Sequence, residues 1–563
     1  MKEPWRKKAR CNPQILFVGV AFFFWACFSA RANVYATDIR VNGSWQGGVV
    51  VPGSPVTISF ILNDVATNVS VQIFAGTNVV KTFVADTNTG FNTVVWDGTN
   101  DDGSAATVGA YNICVTAAAA GYDQWTNITD DGTNFDVFFP TGIAVNKNTN
   151  SPYYGRVFIG NAYTGQNAPV GILKCNADGS PADEGGFSTG SYPWSGGRYV
   201  SPSPGKMDIG SDDRLYVEDR SVDGGVVMSF DQVISPNYLN VLRADNYPYS
   251  EIQLSGPCLC GEGTNIQISM ADLNSTYLDT NNTPQPGLGI LSWMLDSNGV
   301  VATNDLGTVK VTLTNNSDLT LAPDAVSVDT NGNIYTVQRV TDSDLSSSED
   351  DTTNRFLSFP PAPNGGPPDA QSTWKIGSGD PTLENAFGVA VNPTAALVAV
   401  ASRGYGNDPE DLQDGGTSIF LAASGSLVTN IAESPGGFSN QECIDVAWDN
   451  VGNLYITYQE NGFSQSGWRV YSPPGSNQAT TIAVPIIQVY QSLTPPQLSQ
   501  PTANLGPLNF TLTGQSNVTC IIQQSPDLIN WTPVATNFCP TTISSISVTP
   551  PDTQDFYRAV ARP

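Results

Sequence analysis

Short apolar runs separated by a turn recur along the chain and predict β-hairpins. One such pattern occupies residues 323–340, PDAVSVDTNGNIYTVQRV, and a close copy occupies residues 441–459, QECIDVAWDNVGNLYITYQ. In both, β-branched and aromatic residues flank a turn containing Asn and Gly, which is typical of two paired strands. Across five copies, the first apolar run ends at Val145, Ile209, Val328, Val391 and Trp448.

The copies are regularly spaced, which indicates a repeat architecture. They end 64, 119, 63 and 57 residues apart, and a weaker copy near Ile268 divides the long interval. A third apolar run follows the hairpin in several copies, as in residues 355–359 and 468–472. Six repeats of four strands predict an all-β chain with a six-bladed β-propeller over residues 137–490. A solenoid is the alternative, but its repeats are usually shorter.

The repeated motif supports the same fold through a family resemblance. The pattern P-x-G-I-A-V followed by G-N-[IL]-Y, as in PTGIAV and GNIY, resembles the NHL and gluconolactonase-like six-bladed propellers. The resemblance covers roughly residues 137–490. It implies the fold, but members bind proteins, glycans or RNA, or hydrolyse lactones, so it leaves the function open.

Alternating strands in residues 33–125 predict an Ig-like β-sandwich before the propeller. Residues 94–117 resemble the Ig-like domain of flagellar hook-capping proteins, which implies a spacer or adhesion module. The acidic turn at residues 97–103, DGTNDDG, is interpreted as a hairpin turn, with calcium binding as the alternative. The matching residues of the domain are Trp96, Gly98, Asp102, Gly103, Gly109 and Tyr111.

Two linkers and a small C-terminal module complete the predicted organisation. Residues 126–136 and the Pro-containing residues 491–505 are the linkers. Residues 506–563 are predicted to form a small β-rich module, which resembles a C-terminal module of secreted bacterial proteins. Trp531 and Phe556–Tyr557 are expected to form its core.

The first 32 residues have the pattern of a secretory signal peptide. A basic start precedes the apolar run Ile15–Phe28, which is short for a membrane span, and small residues allow cleavage after Ala32. A lipoprotein signal at Cys27 is disfavoured because Trp25 stands where a small residue is needed. We therefore expect a secreted or cell-envelope protein with no membrane span after cleavage.

Charge and residue counts narrow the function classes. Residues 33–563 carry 18 basic and 50 acidic side chains, a net charge of −32, which repels nucleic acid and attracts cations such as calcium. The chain contains no histidine, so His-dependent triads and His-ligated metals are excluded. Seven cysteines follow residue 32, an odd number without the spacing of a zinc site.

Arginines at one repeated position are the candidate ligand-binding residues. Arg220, Arg339 and Arg403 follow their repeat anchors by 11, 11 and 12 residues, where second strands end, and Gln459 takes this place in the last repeat. Thr141 begins the first inner strand beside them. Such a group could grip a carboxylate or sugar hydroxyls. The alternative is that the arginines form salt bridges between blades.

Asp324 and Glu442 are the candidate metal ligands, with Asn385 near them. In gluconolactonase-like enzymes, acidic and amide oxygens hold a divalent metal at the channel mouth, so the resemblance implies Ca²⁺ as a candidate cofactor and lactone hydrolysis as a reaction. The early glutamate of that family is missing, because Thr141 stands without an acid nearby. We therefore expect a binding or adhesion protein that recognises a glycan or protein through the propeller's loop face. The metal-dependent lactonase-like hydrolase is the alternative.

Overall fold

The computed structural model consists of β-strands and connecting loops. No helix in the part of the chain described below is long and apolar enough to cross a membrane. The predicted signal peptide and Arg339 lie outside that part. The described residues are 33–50, 54–129, 135–165, 168–196, 202–221, 226–243, 253–274, 276–278, 283–313, 318–338, 354–361, 371–377, 383, 385–404, 414–432, 441–460, 466–489, 495–499, 501, 507–514, 518–539, 541–549 and 556–562.

Two facing sheets form the N-terminal sandwich. Buried and exposed residues alternate along Gly90–Trp96, and the buried side chains of both sheets share one apolar core. Trp96 is fully buried, with its ring 5.2 Å from that of Tyr111, so two residues of the hook-capping motif pack together. One sheet contains Ala36–Val41, Val56–Leu62 and Gly90–Trp96; the other contains, in order, Val49–Val50, Gly475–Val489, Ala110–Tyr122, Asn68–Ala75 and Asn78–Val84.

The acidic turn that follows Trp96 is held by its own side chains. The Asp97 carboxylate accepts a hydrogen bond from the Thr99 amide at 3.0 Å, and the Asp102 carboxylate accepts one from the Ser104 amide at 2.9 Å. Short acidic side chains commonly stabilise turns in this way. The turn forms a small local hairpin with an antiparallel bridge between Thr99 and Ala105, whereas the flanking strands Gly90–Trp96 and Ala110–Tyr122 lie in different sheets.

Six four-stranded antiparallel sheets follow in a propeller-like arrangement, and they contain the hairpins expected from the repeats. A small two-stranded hairpin, Thr276–Leu278 with Pro284–Pro286, lies in the chain between Gln267–Asp272 and Ile290–Met294. The strands are Pro140–Val145, Val157–Asn161, Gly171–Cys175 and Phe187–Ser188 (sheet 1); Met207–Ile209, Leu215–Asp219, Val226–Phe230 and Leu239–Leu242 (sheet 2); Leu254–Cys260, Gln267–Asp272, Ile290–Met294 and Thr308–Val311 (sheet 3); Pro323–Val328, Ile334–Gln338, Asn354–Phe359 and Trp374–Gly377 (sheet 4); Ala386–Val391, Leu397–Gly404, Asp414–Leu421 and Leu427–Ala432 (sheet 5); Gln441–Trp448, Leu454–Glu460, Gly467–Ser472 and Thr126–Asn127 (sheet 6).

The first strands of the six sheets contact one another in sequence, and the first strand of sheet 6 contacts that of sheet 1. A polar bond also bridges every pair of neighbouring sheets, and two of these six bonds are buried whereas four are partly buried. These bonds are Thr141 Oγ1 to Pro204 O (2.7 Å), Leu259 N to Asp208 Oδ2 (2.8 Å), Val328 N to Cys258 Sγ (3.3 Å), Val391 N to Ser327 Oγ (3.0 Å), Trp448 Nε1 to Ala390 O (2.9 Å) and Ile143 N to Asp445 Oδ2 (3.1 Å).

Glycine allows the close approach of neighbouring first strands at two positions. A Cβ atom on Gly142 would lie 2.7 Å from the Gly205 carbonyl oxygen, and one on Gly388 would lie 2.9 Å from a carboxylate oxygen of Asp445. A larger residue would force the sheets apart, because packed interiors leave little free space.

The pairing of two strands differs from the expected domain boundaries. Thr126–Asn127, in the expected linker, pairs with the third strand of sheet 6 and supplies its fourth strand. Gly475–Val489, expected at the end of the propeller, pairs instead with Ala110–Tyr122 of the sandwich. The physical reason is edge satisfaction, because both pairings cover backbone groups that would otherwise lie on an open sheet edge. The remaining boundaries stay predictions.

The first described residues tie the sandwich to sheet 6. The Asn33 amide donates to Ser472 Oγ at 3.1 Å, and Asn453 Nδ2 donates to the Asn33 carbonyl at 2.9 Å. The Tyr35 and Tyr455 hydroxyls lie 3.3 Å apart, and both side chains are fully buried. The sandwich is therefore attached to sheet 6 by side-chain hydrogen bonds as well as by the continuous backbone.

The C-terminal module contains two three-stranded sheets. Its core includes Cys520 and Cys539, and the Phe510 and Tyr557 rings lie 5.2 Å apart. The expected core position of Trp531 is not observed, because that ring is partly exposed under the Arg558 guanidinium. The strands are Gln497–Leu498, Leu508–Thr513 and Ile543–Val548 in one sheet, and Thr532–Cys539, Val518–Ser525 and Phe556–Arg562 in the other.

Candidate functional site

Two of the expected ligand-binding arginines meet near the centre of the six sheets. Arg220 follows the second strand of sheet 2 and is buried, whereas Arg403 lies at the end of the second strand of sheet 5 and is partly exposed. The guanidinium carbons of Arg220 and Arg403 lie 5.7 Å and 4.3 Å from the centroid of the Phe387 ring. The repeated arginine position therefore converges on one aromatic ring of sheet 5.

Carboxylates from the same sheet and from other sheets lie beside these arginines. Arg220 Nε bonds to Glu218 Oε1, and Arg220 Nη2 lies 3.9 Å from Asp324 Oδ1 of sheet 4. Arg403 Nε lies 3.4 Å from Glu442 Oε2 of sheet 6. Asp324 and Glu218 are fully buried, so both charges need such partners. The Arg220–Asp324 and Arg403–Glu442 contacts therefore join different sheets, whereas the Arg220–Glu218 pair lies within sheet 2.

A buried lysine that the sequence did not reveal completes the group. Lys206 Nζ donates to the Phe387 carbonyl, lies 3.3 Å from the Asp324 carbonyl oxygen, and stands 4.5 Å from the Phe387 ring centroid. Burial lowers the pKa of Lys206, while the nearby Asp324 and Asp445 carboxylates act in the opposite direction. One ammonium thus links sheet 2 to sheets 4 and 5 across the centre.

Asp445 is the acidic counterpart of Lys206 on sheet 6. Its carboxylate accepts the Ile143 amide, and burial raises its pKa to about 6, against the lowering effect of the Lys206 charge. The carboxyl group is therefore sensitive to the loss of the lysine. We use the name central cluster for Phe387 and the seven charged residues around it: Lys206, Arg220, Arg403, Glu218, Asp324, Glu442 and Asp445.

Thr141 and Gln459, the two neutral candidate ligand-binding residues, donate hydrogen bonds to backbone carbonyls. Thr141 Oγ1 donates to the Pro204 carbonyl at 2.7 Å, and Gln459 Nε2 donates to the Pro140 carbonyl at 2.6 Å. Both side chains are buried and join neighbouring sheets. Their observed contacts stabilise the arrangement of neighbouring sheets.

The expected metal ligands, Asp324 and Glu442, lie beside different arginines. Neither Asp324 carboxylate oxygen has a hydrogen-bond donor among the described residues, and Arg220 Nη2 lies 3.9 Å from Asp324 Oδ1. Within that same part of the chain, no group of three or more Cys, Asp or Glu side chains is arranged to hold a metal ion. Asn385 adopts a positive φ of 51° beside sheet 5. Asp324 and Glu442 thus lie beside arginines, in a group that carries three cationic and four acidic side chains.

A wide basin opens at the other end of the first strands, where the hairpins turn. Its volume is about 860 Å³, and segments from all six sheets line it. A smaller cavity of about 60 Å³, lined by Lys206 and Asp445, shares Lys147 and Val391 with the basin. The basin lining mixes neutral polar residues such as Ser211 and Thr330, apolar residues such as Val391, and charged residues such as Lys147.

Comparison with known proteins supports the sandwich assignment. Residues 48–121 match the FlgD Ig-like domain family, which confirms the resemblance expected from Trp96 and its neighbours over this part of the chain. No curated protein matches the sequence.

Solved structures with many β-strands show a distant likeness. A protein of unknown function from Dyadobacter fermentans shares 11% identity, with 70% of this chain and 94% of that chain covered, at a TM-score of 0.30. Chaetomium thermophilum Sqt1, bound to the N-terminus of ribosomal protein L10, shares 15% identity, with 70% and 86% covered, at a TM-score of 0.26. At these scores neither structure adds to the assignment of function.

Proposed function

We propose that this chain is a secreted or cell-envelope binding protein built on a six-bladed, NHL-like β-propeller. The propeller presents a ligand-recognition face, and the Ig-like sandwich and the C-terminal module connect that face to its surroundings. The ring of contacts between first strands and the polar bond at every junction support the propeller. The ligand class is a glycan or a protein, in accord with the acidic net charge.

The basin is the observation that carries this function. It is far larger than the cavity beside Lys206, and it draws residues from the hairpins of all six sheets. Binding sites are usually concave and placed on loops held by a rigid scaffold. The recognition face is therefore the hairpin face with its basin, rather than the arginines of the central cluster.

The central cluster supports a structural role for its charged groups. Each arginine has a carboxylate partner on another sheet, and the buried lysine bonds to two backbone carbonyls. Paired charges of this kind fix the relative positions of elements. The metal-dependent lactonase-like hydrolase would require Asp324 and Glu442 to leave these arginines, and no observed contact favours that rearrangement.

Blocking the basin tests the proposed function. The full-length chain would be screened on a glycan array and on a displayed random-peptide library, and the best ligand titrated against Ser211→Trp and Thr330→Trp. Both residues are exposed at the basin, so each substitution should weaken binding about tenfold or more by filling it. Thr536→Trp, an exposed change on the C-terminal module, is the matched control. Equal affinity in all four proteins, or no ligand in either screen, would contradict the proposal.

A further inference from the structure

We propose that the ligand is an elongated neutral glycan that extends from the basin into a second cleft between the sandwich and sheet 1. This inference rests on the proposed binding function and adds the ligand class and an aromatic subsite. The subsite is formed around Trp45, which belongs to the sandwich and lies outside the repeats of the propeller.

The second cleft adjoins the basin. Its volume is about 150 Å³, enough for a sugar ring, and Trp45, Gln46 and Tyr154 are among its lining residues. Thr149 and Asn150, on the first hairpin of sheet 1, line both the cleft and the basin. A ligand that follows this hairpin would contact the propeller and the sandwich together.

Trp45 is held in a fixed orientation at the cleft. Its Nε1 donates to the Asp38 carboxylate, its ring lies 5.0 Å from that of Tyr153, and the Arg40 guanidinium lies 4.2 Å from its centroid. The ring remains partly exposed. A preorganised aromatic side chain offers a flat apolar surface at low entropic cost, which suits the C–H face of a sugar ring.

The polar groups beside Trp45 suit hydroxyl groups. The side-chain amides of Gln46 and Asn150 make no hydrogen bond to other described residues, and each amide can both donate and accept. A sugar hydroxyl has the same dual capacity. Asp38, the acidic residue of the lining, is already bonded to Arg40 and Trp45.

Charge and lining favour a neutral glycan over the other ligand classes. The net charge of −32 for residues 33–563 repels an anionic polysaccharide over the whole surface. The partly exposed Trp45 ring and the unbonded amides of Gln46 and Asn150 present the aromatic surface and the hydrogen-bonding groups that a sugar ring needs. A neutral glycan fits these groups and avoids the charge repulsion.

Affinity electrophoresis of the full-length chain in gels that contain soluble neutral polysaccharides tests this inference. Xylan, mannan, galactan and mixed-linkage glucan are the probes, and carboxymethyl cellulose is the anionic comparison. A neutral polysaccharide is expected to retard the chain, and Trp45→Ala should weaken that interaction about tenfold or more. Gln46→Ala and Asn150→Ala, which remove exposed side chains without internal bonds, should each weaken it several-fold.

The controls separate this inference from the proposed function. Phe91→Ala removes an aromatic side chain that is 69% exposed on the sandwich, and it should leave retardation unchanged. Loss of retardation in Ser211→Trp with full retardation in Trp45→Ala, Gln46→Ala and Asn150→Ala would overturn the cleft and keep the basin. Retardation only by carboxymethyl cellulose, or binding only in the peptide screen, would overturn the neutral glycan. No retardation and no peptide ligand would overturn both proposals.

Discussion

A chain reduced to residues 137–490 is expected to lose cooperative folding. That chain lacks Thr126–Asn127, the fourth strand of sheet 6, and it leaves Gly475–Val489 without Ala110–Tyr122. The latter pairing spans most of a 13-residue strand of the sandwich. An unpaired strand of this length exposes backbone donors and acceptors and promotes association between chains. Far-UV circular dichroism with thermal unfolding is the measurement.

A second truncation provides the matched control. A chain of residues 33–499 lacks most of the C-terminal module but keeps every strand of the sandwich and the six sheets. It is expected to unfold in a cooperative transition close to that of residues 33–563. A sharp transition for residues 137–490 at the same temperature would show that the six sheets fold alone. That result would contradict the dependence expected from the pairing of strands across the domain boundaries.

Replacing Lys206 by Met is expected to destabilise the chain by about 2–3 kcal/mol, because buried acceptors that lose a charged donor are left unsatisfied. Met keeps much of the side-chain length but removes the ammonium, so the Asp324 and Phe387 carbonyls lose a donor. The Asp445 and Glu218 carboxylates lose a nearby positive charge. The midpoint of urea unfolding, measured at pH 7.5, reports the loss.

The effect of Lys206→Met should depend on pH. The Lys206 charge lowers the pKa of Asp445, so its removal raises that pKa further above the unfolded value. A raised carboxyl pKa stabilises the folded state at low pH, and that stabilisation is lost as pH rises through the folded pKa. The substitution should therefore cost less at pH 5 than at pH 7.5.

Lys375→Met is the control for the lysine change. Its ammonium pairs with Asp318 at 2.7 Å, but the side chain is 48% exposed, so its removal should cost about 1 kcal/mol or less. Equal destabilisation by both substitutions at pH 7.5 would refute a special role for the central cluster.

The hairpin repeats were predictable because their signal is local. Apolar runs and Asx–Gly turns specify strands such as Pro323–Val328 and Ile334–Gln338 within a few residues. The origin of the fourth strand of sheet 6 was not predictable, because a two-residue strand has no period. The pairing of Gly475–Val489 with the sandwich depends on contacts between segments that are far apart in sequence, and no local pattern predicts such contacts.

The central cluster was predictable in part. The repeated arginine position placed Arg220 and Arg403 together, but their carboxylate partners depend on distances across the ring. Lys206 and Asp445 had a signal that the sequence interpretation missed. They stand three residues before their repeat anchors, where Gly142, Ala325 and Gly388 occur in other repeats. A lysine and an aspartate at a position otherwise occupied by small residues indicate a pair at the centre.

We propose that charged groups at the centre hold the sheets together and that the hairpin face binds the ligand. Calorimetric titration of the full-length, EDTA-dialysed chain with calcium, beside Asp324→Ala and Glu442→Ala, tests it most directly. The expected result is no binding heat that depends on either carboxylate, with lower thermal stability in Asp324→Ala. Tight one-site calcium binding that both substitutions abolish, with the folded state retained, would contradict the claim and make the centre a metal site.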